Sequence, residues 1–376
     1  MSYDILYETC PWHTRVALFA PEGHLKSLHF DDPDLPYLEG TVLLGRIKTI
    51  HRSMKVAFVD IGEEVEGYLP LKTMENKGEG AHEGQVIMVR IVRSRMDEKG
   101  AKLSAKVMHE MPEGELEAPL VLKTPHNALQ RALHDSGDTP VQVWVPDERS
   151  LAMVNDFVDS DKVRLLREDD KMFERLEHYL SYIREGVFPL SNGGRVTVEH
   201  TKALTSVDVD TGKAGGGKDV QMETNLQAAR EIARLCRLLD IGGSIVVDFV
   251  TMRSKSDREQ IKTALSEAFT EIDDRRVNIL NMSPFGLLEM NREKVDAPLY
   301  WKLNHPTYVA GEVLLEMWRQ PVGIGSYNVA ASPEVSRILK DRLTEKAALA
   351  YIGRKVTIKE NKERSIESFA LSQGAA

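Results

Sequence analysis

The spacing of apolar and polar positions divides the chain into four stretches of different texture. In residues 1–36, Ile5-Leu6-Tyr7 and Arg15-Val16-Ala17-Leu18-Phe19 read as two short strands about a turn. Such a unit is too small to fold alone, so it is expected to join a sheet completed later in the chain. Asp31-Asp32-Pro33-Asp34-Leu35-Pro36 reads as a linker. From about 38 to 108 the pattern is densely β, with strands over 41–47, 55–60 and 85–91 and glycines at 45, 62, 67, 84 and 100 for the bends of a small closed barrel. Residues 113–180 then alternate: a strand at Pro119–Leu122, a helix near 126–135, a strand at Val141–Val145, and helices over 147–157 and 170–184. That is α/β texture.

The stretch 194–300 carries the sharpest signals. Arg195–Glu199 and Ala203–Asp210 read as a hairpin. A helix is expected over 225–240, opened by the capping box Thr224-x-x-Gln227 and closed at Gly242-Gly243. A strand at Ile245–Val250, a helix opened by Ser256-x-x-Glu259 and running to about Asp273, and a strand at Val277–Leu280 complete the unit. Beyond 310 one helix is expected after Ser332-Pro333, followed by a hairpin across Val356–Ile358 and Ser365–Phe369.

Composition narrows the class. The 376 residues suffice for two or three domains, and 42% hydrophobic with 28% charged residues excludes a wholly disordered or collagen-like chain. No apolar run approaches the ~20 residues of a membrane helix, and the first residues lack a secretory pattern. Cys10 and Cys236 alone supply neither a disulfide framework nor a four-thiolate zinc site, so a reducing cytoplasm is the expected location. The formal charge of −9 argues against indiscriminate binding to polyanions but leaves local basic patches open.

Three places could carry chemistry. Asp208 and Asp210 share one face of a strand, and Asp248 lies in an otherwise apolar strand. A carboxylate buried there would need a partner, a proton or a cation. If the two strands are neighbours, the carboxylates converge and suit Mg²⁺ or Mn²⁺; otherwise each aspartate simply ends a strand and caps the next turn. The loop Gly212-Lys213-Ala214-Gly215-Gly216-Gly217-Lys218-Asp219 satisfies G-x-x-x-x-G-K. However, Asp219 stands where a phosphate loop has Ser or Thr, and Val220–Glu223 are expected to separate the loop from its helix. A basic loop able to touch a phosphate backbone is the better reading, with a nucleotide hydrolase depending on Lys218 as the weaker one. In the barrel, Arg46, Lys48, Arg52 and Lys55 have no acid among them. Arg90, Arg93, Arg95, Lys99, Lys102 and Lys106 face only Asp97 and Glu98, and Phe58 and Tyr68 sit on or beside the strands. Such a surface can track a single-stranded backbone while its aromatics stack bases; the alternative is core aromatics and a solvated charged face. Cys236 falls on the apolar side of its helix, where a buried thiol is the default.

Several blocks closely resemble the ribonuclease E/ribonuclease G family: Ala203–Asp210, Asn225–Arg234, Asp240–Phe249 and Phe285–Met290. Arg46-Ile47, Ala57–Gly62 and Gly67–Pro70 resemble that family's S1-type RNA-binding domain. The resemblance implies an α/β multidomain chain. Residues 1–36 and 113–184 would form an RNase H-like subdomain into which an S1-type OB-fold barrel (37–112) is inserted. A DNase I-like catalytic subdomain (185–305) and a small, trimmed α+β domain (306–376) would follow.

The resemblance further implies a metal-dependent endoribonuclease acting on single-stranded RNA in processing or decay. Asp208 and Asp248 would hold Mg²⁺, with Mn²⁺ as the other candidate ion. Asp210, where the family usually has asparagine, would orient water or join the metal shell. Phe58, Tyr68 and Lys99 would grip RNA, which the barrel would thread toward the metal. Three departures change the expectation. Only about ten residues separate the barrel from Pro119, so the family's 5′-sensor is absent and cleavage should be indifferent to a 5′-monophosphate. Pro284 replaces the usual arginine before Phe285. Residues 291–310 contain no cysteine, so no zinc is expected and any homodimer would form without a zinc link. The rival reading is a non-catalytic S1-domain RNA-binding protein.

Overall fold

The computed structural model describes residues 2–96, 99–109, 117–155, 157–167, 169–215, 217–320 and 325–374. Asp97, Glu98, Gly216 and the boundary expected between 112 and 113 lie outside the described residues. The chain forms two compact units, one of Met1–Pro33, Ala128–Glu293 and Pro298–Ala376, the other of Asp34–Asn127 with Lys294–Ala297. Among the described residues no helix is long and apolar enough to cross a membrane.

The larger unit begins with β1 (Tyr3–Cys10), β2 (His13–Phe19) and β3 (Leu25–Asp31), a three-strand meander. The smaller unit contains β4 (Val42–His51), β5 (Val56–Asp60), β6 (Gly67–Pro70), β7 (Val86–Arg93), β8 (Lys102–Ser104) and β9 (Leu120–Lys123). Strands β5, β6, β8, β7 and β4 pair in a ring that closes through β4 and β5, giving a five-stranded barrel of the OB type. Closure requires β4 to bend where it leaves β7 for β5. A bulge between Ile47 and Thr49 and the bare backbone of Gly45, whose Cβ would meet Val59 Cγ1 at 2.5 Å, permit this. Leu43, Ile47, Ala57, Val59, Leu69, Val89, Ile91 and Leu103 fill the interior. The strand expected at Pro119–Leu122 pairs with β4 instead of joining the α/β segment, because β4 has a free edge beside its bend.

In the larger unit the chain continues through α1 (Ala128–Ser136), β10 (Val141–Val145), α2 (Glu148–Val154), β11 (Val163–Leu165) and α3 (Met172–Glu185). β10 pairs parallel with β1, so the sheet order is β11-β10-β1-β2-β3 and the opening strands are completed by later ones, as expected. Ile5, Tyr7, Val16 and Leu18 pack with Ala128, Leu129 and Ala132 on one face. The supposed linker is an anchor: Asp31 Oδ2 accepts the Ala128 N–H at 2.7 Å and so caps α1. Fully buried Asp32 takes His13 Nδ1 at 2.8 Å and Arg342 through both guanidinium nitrogens, at 3.0 and 2.5 Å.

The next sheet holds β12 (Val187–Pro189), β13 (Arg195–His200), β14 (Thr205–Asp210), β15 (Gly243–Asp248), β16 (Val277–Ile279) and β17 (Leu287–Arg292), in the order β12-β13-β14-β15-β17-β16. Helix α4 (Lys218–Leu238) joins β14 to β15 and α5 (Lys255–Ile272) follows β15. The sequence placed the start of α4 too late. Thr224 lies inside it, its hydroxyl bonded to the Val220 carbonyl one turn back, so Thr224-x-x-Gln227 is no capping box and Val220–Glu223 are helical. Asp240, at φ +53, rather than Gly242-Gly243, turns the chain out of the helix. At α5 the cap position is Ser254, not Ser256.

The tail comprises α6 (Leu299–Leu303), α7 (Pro306–Arg319), β18 (Ser326–Ala331), α8 (Pro333–Arg342), β19 (Lys355–Glu360) and β20 (Phe369–Gly374). Ser332 caps α8 as read from sequence. Helix α7 was not expected. It packs on β1 and β2 and places Glu312 against fully buried Arg15, which also meets Glu8. The expected terminal hairpin does not form: β18 lies between β19 and β20, parallel to the first and antiparallel to the second.

Candidate active site

Alternation along β13, β14, β15 and β17 gives this sheet two unlike faces. Val196, Val198, Val207, Val209, Ile245, Val247, Leu288 and Met290 are buried, and α4 and α5 pack on each other and on this sheet. Glu199, Asp208, Ser244, Asp248, Glu289 and Asn291 on the opposite face are exposed. Parallel pairing sets Val207 opposite Val247 and Asp208 opposite Asp248. Adjacent strands lie ~4.8 Å apart, so the two carboxylates stand side by side on the open face. The expected burial of Asp248 is corrected: β15 ends at this residue, whose side chain points to solvent while Val247 and Phe249 are buried.

The end of β15 is held from two sides. Buried Asn225 on α4 donates from Nδ2 to the Val250 carbonyl at 2.8 Å and accepts the Val250 N–H at 3.0 Å. On the other side, the Phe249 N–H donates to the Gly286 carbonyl at 3.2 Å. Gly286 sits at φ +96, and a Cβ there would collide with the Phe249 carbonyl and stand 3.7 Å from Asp248 Oδ1. The sequence alone assigns Asn225 and Gly286 no role; a polar residue on the apolar side of a helix is the available signal.

Electrostatics distinguish the three aspartates. Burial, then the charges of Asp248 and Asp210, push the Asp208 carboxyl above its usual range. Asp210 is held below that range, first by the Gly212 N–H on Oδ1 at 2.8 Å and then by Arg195 on Oδ2 at 2.5 Å. Both Asp210 oxygens therefore have protein partners, while Asp208 and Asp248 face one another across the strands. Among the described residues there is no group of three or more His, Cys, Asp or Glu side chains arranged to hold a metal. The Asp208–Asp248 pair nonetheless fits Mg²⁺, which commonly takes one or two carboxylates and leaves its other positions to water and substrate phosphate. A cation would also offset the repulsion that raises Asp208.

The lysine that closes the glycine-rich loop is engaged in an ion pair. Lys218 begins α4 directly after Gly217, closer to a phosphate-loop layout than the sequence suggested, but its ammonium lies 3.1 Å from Asp257.

In the barrel, Phe58 stands directly opposite Tyr68 with ring centroids 6.4 Å apart, and His51 lies 5.6 Å from Phe58. Tyr68 is 42% exposed, so the pair belongs to the outer surface and not to the core. Register places Lys102 beside Tyr68 and Arg93 beside Lys102. Exposed Lys99 exchanges backbone hydrogen bonds with Met96 at 3.1 and 3.0 Å.

A closed barrel with an aromatic and basic outer row, carried by a chain that also holds a paired-carboxylate sheet, defines a nucleic-acid-binding class. Residues 38–106 match the S1 RNA binding domain, and residues 93–295 match the Ribonuclease E/G family. The chain belongs to the ribonuclease E/G family. It is 25% identical to ribonuclease E of Escherichia coli K12, over 77% of this chain and 37% of that protein. It is also 25% identical to a putative ribonuclease E of Buchnera aphidicola subsp. Baizongia pistaciae, over 77% of this chain and 94% of that protein. With ribonuclease G of Salmonella typhimurium SL1344 it shares 24% identity, over 95% of this chain and 97% of the relative. The chain thus spans little more than a third of Escherichia coli ribonuclease E but nearly all of Salmonella ribonuclease G.

Proposed function

We propose that this chain is a metal-dependent endoribonuclease that hydrolyses single-stranded RNA in processing or decay. The observation that carries the reading is the Asp208–Asp248 register on the open face of the sheet. We read the sheet of β12 to β17 with α4 and α5 as the DNase I-like catalytic subdomain and the sheet of β1, β2, β3, β10 and β11 as RNase H-like. Asp208 and Asp248 would hold Mg²⁺ or Mn²⁺. Such an ion, when bound, supplies a nucleophile at neutral pH and offsets charge developing on phosphate.

The remaining roles fall to the chain itself. Asn225 and Gly286 fix the end of β15 and thereby the position of Asp248. Asp210 acts through Arg195: it holds the guanidinium on the open face, where Arg195 meets a backbone phosphate. On the barrel, Phe58 and Tyr68 stack bases while Lys99, Lys102 and Arg93 meet phosphates. Residues 105–119 alone separate β8 from β9, which leaves no room for a 5′-end sensor and supports cleavage indifferent to the 5′ terminus. Both cysteines are free and buried, which fits a reducing cytoplasm.

The test is cleavage of internally labelled single-stranded RNA, with 5′-monophosphate or 5′-triphosphate ends, in Mg²⁺ and in EDTA. Internal cuts that need the metal, at rates within about threefold for the two ends, are expected; a tenfold monophosphate preference would overturn the account of the 5′ end. Binding without cutting under Mg²⁺ and Mn²⁺ would favour the non-catalytic alternative.

A further inference from the structure

Phe285 is the most exposed aromatic side chain among the described residues, at 79%. A lone apolar side chain at the surface is unremarkable, but Phe285 is not alone and is not loosely held. Leu287, 42% exposed, is the register partner of Asp248, and Leu280, 50% exposed, flanks β17 on the same open face. The turn that carries the ring is rigidly stapled. Ser283 N–H donates to the Leu287 carbonyl at 2.8 Å and Gly286 N–H to the Ser283 carbonyl at 3.2 Å. The Ser283 hydroxyl oxygen accepts the N–H groups of Phe285 and Leu287 at 3.3 and 3.2 Å. Thr251 Oγ1 donates to the Phe285 carbonyl at 3.3 Å, tying the turn to the segment after Asp248. The sequence therefore builds a support that presents a bare ring one residue from Gly286, whose backbone lies against Asp248.

We propose that Phe285, backed by Leu287, stacks a nucleobase next to the phosphodiester presented to Asp208 and Asp248. This rests on the endoribonuclease reading and deepens it: the catalytic sheet carries a base-binding subsite of its own, in addition to the aromatic row of the barrel. An aromatic face accepts any base, so the subsite sets the register of the strand at the metal rather than a strict sequence. Its occupant is a base of single-stranded RNA, because a base in a duplex is already stacked on its neighbours and cannot cover the ring.

The test compares wild type, Phe285→Ala and Phe285→Trp on an RNA with one defined cleavage site, and on versions of it abasic at each flanking nucleotide. Phe285→Ala should lower kcat/KM about tenfold on intact RNA, while Phe285→Trp stays within about threefold of wild type. On the RNA lacking the stacked base, wild type should fall to the rate of Phe285→Ala, and Phe285→Ala should lose nothing more. Independently of cutting, in EDTA, 2-aminopurine at that nucleotide should be quenched by wild type and not by Phe285→Ala. The quenching arm separates this proposal from the one it rests on, since it can succeed for a chain that does not cut. Equal losses for Phe285→Ala on intact and abasic RNA would overturn the subsite. So would an unchanged cleavage rate accompanied by a change in oligomeric state, which would assign the patch to a second copy of the chain.

Discussion

Asn225 and Val250 exchange two hydrogen bonds, at 2.8 and 3.0 Å, between the buried face of α4 and the segment just past Asp248. A side-chain amide here replaces the strand neighbour that β15 lacks beyond its last residue. Truncation to alanine leaves a buried N–H and carbonyl without partners. Asn225→Ala should therefore cost about 2 kcal/mol of folding stability and reduce cleavage more than RNA binding. Denaturant unfolding together with kcat and KM would check this; unchanged unfolding would rule out the clamp.

Asp208 should weaken the fold at neutral pH. Since the folded-state carboxyl of Asp208 titrates above its unfolded value, its protonated form is the favoured one. The associated stability is fully present below the unfolded value near 3.8 and is lost as pH rises through the higher folded value. Asp208→Asn should accordingly raise the thermal midpoint at pH 7 and leave it unchanged near pH 3. Millimolar Mg²⁺ should raise the wild-type midpoint more than that of Asp208→Asn. A variant less stable than wild type at pH 7 would contradict the account.

Arg195 is predicted to meet phosphate with Asp210 as its support. Arg195→Gln should lower RNA affinity at low salt and reduce the slope of log affinity against log salt by about one. Asp210→Asn keeps the cation and should leave that slope intact while lowering the cleavage rate. A slope unaffected by Arg195→Gln in titrations across salt concentrations would remove Arg195 from the interface.

The barrel divides its work between rings and charges. Tyr68→Ala should weaken RNA binding by about 1–3 kcal/mol with little change in salt slope, whereas Lys102→Ala should reduce the slope by about one. Fluorescence anisotropy of a labelled oligonucleotide distinguishes the two. Unchanged affinity in Tyr68→Ala would show that the ring is not a stacking platform.

Much of this was legible in the sequence because neighbouring elements carry local signals. The period-two alternation of Thr205–Asp210 placed Asp208 on the face opposite Val207 and Val209, but whether its strand neighbours that of Asp248 stayed open until the register paired them. Register sets Phe58 opposite Tyr68. What failed did so for identifiable reasons. Thr224-x-x-Gln227 mimics a capping box, yet the hydroxyl bonds Val220 within the helix, and only the path of the chain decides between the two. Helix α7 is buried nearly all round, with Glu312, Glu316 and Arg319 as its narrow polar stripe, and Gly311 within it marks close approach to His13 and not a break. Asp31 and Asp32 look like linker acids because their partners, Arg131 and Arg342, are about 100 and 310 residues away. An apolar run suggested that Asp248 is buried, but the strand ends there and the alternation turns it outward. Nothing local in Ser-Pro-Phe-Gly-Leu announced that its ring is bare.

The central claim is that the facing carboxylates cut RNA internally. The most direct measurement uses a circular single-stranded RNA, which has no ends, incubated with wild type and Asp248→Asn in Mg²⁺ and in EDTA. The account predicts linearisation by wild type in Mg²⁺ only, slowed at least about a hundredfold by Asp248→Asn, with circle binding retained by the variant. Linearisation that persists in EDTA, or in Asp248→Asn at the wild-type rate, would contradict it, as would tight binding of the circle by wild type with no cut in either Mg²⁺ or Mn²⁺.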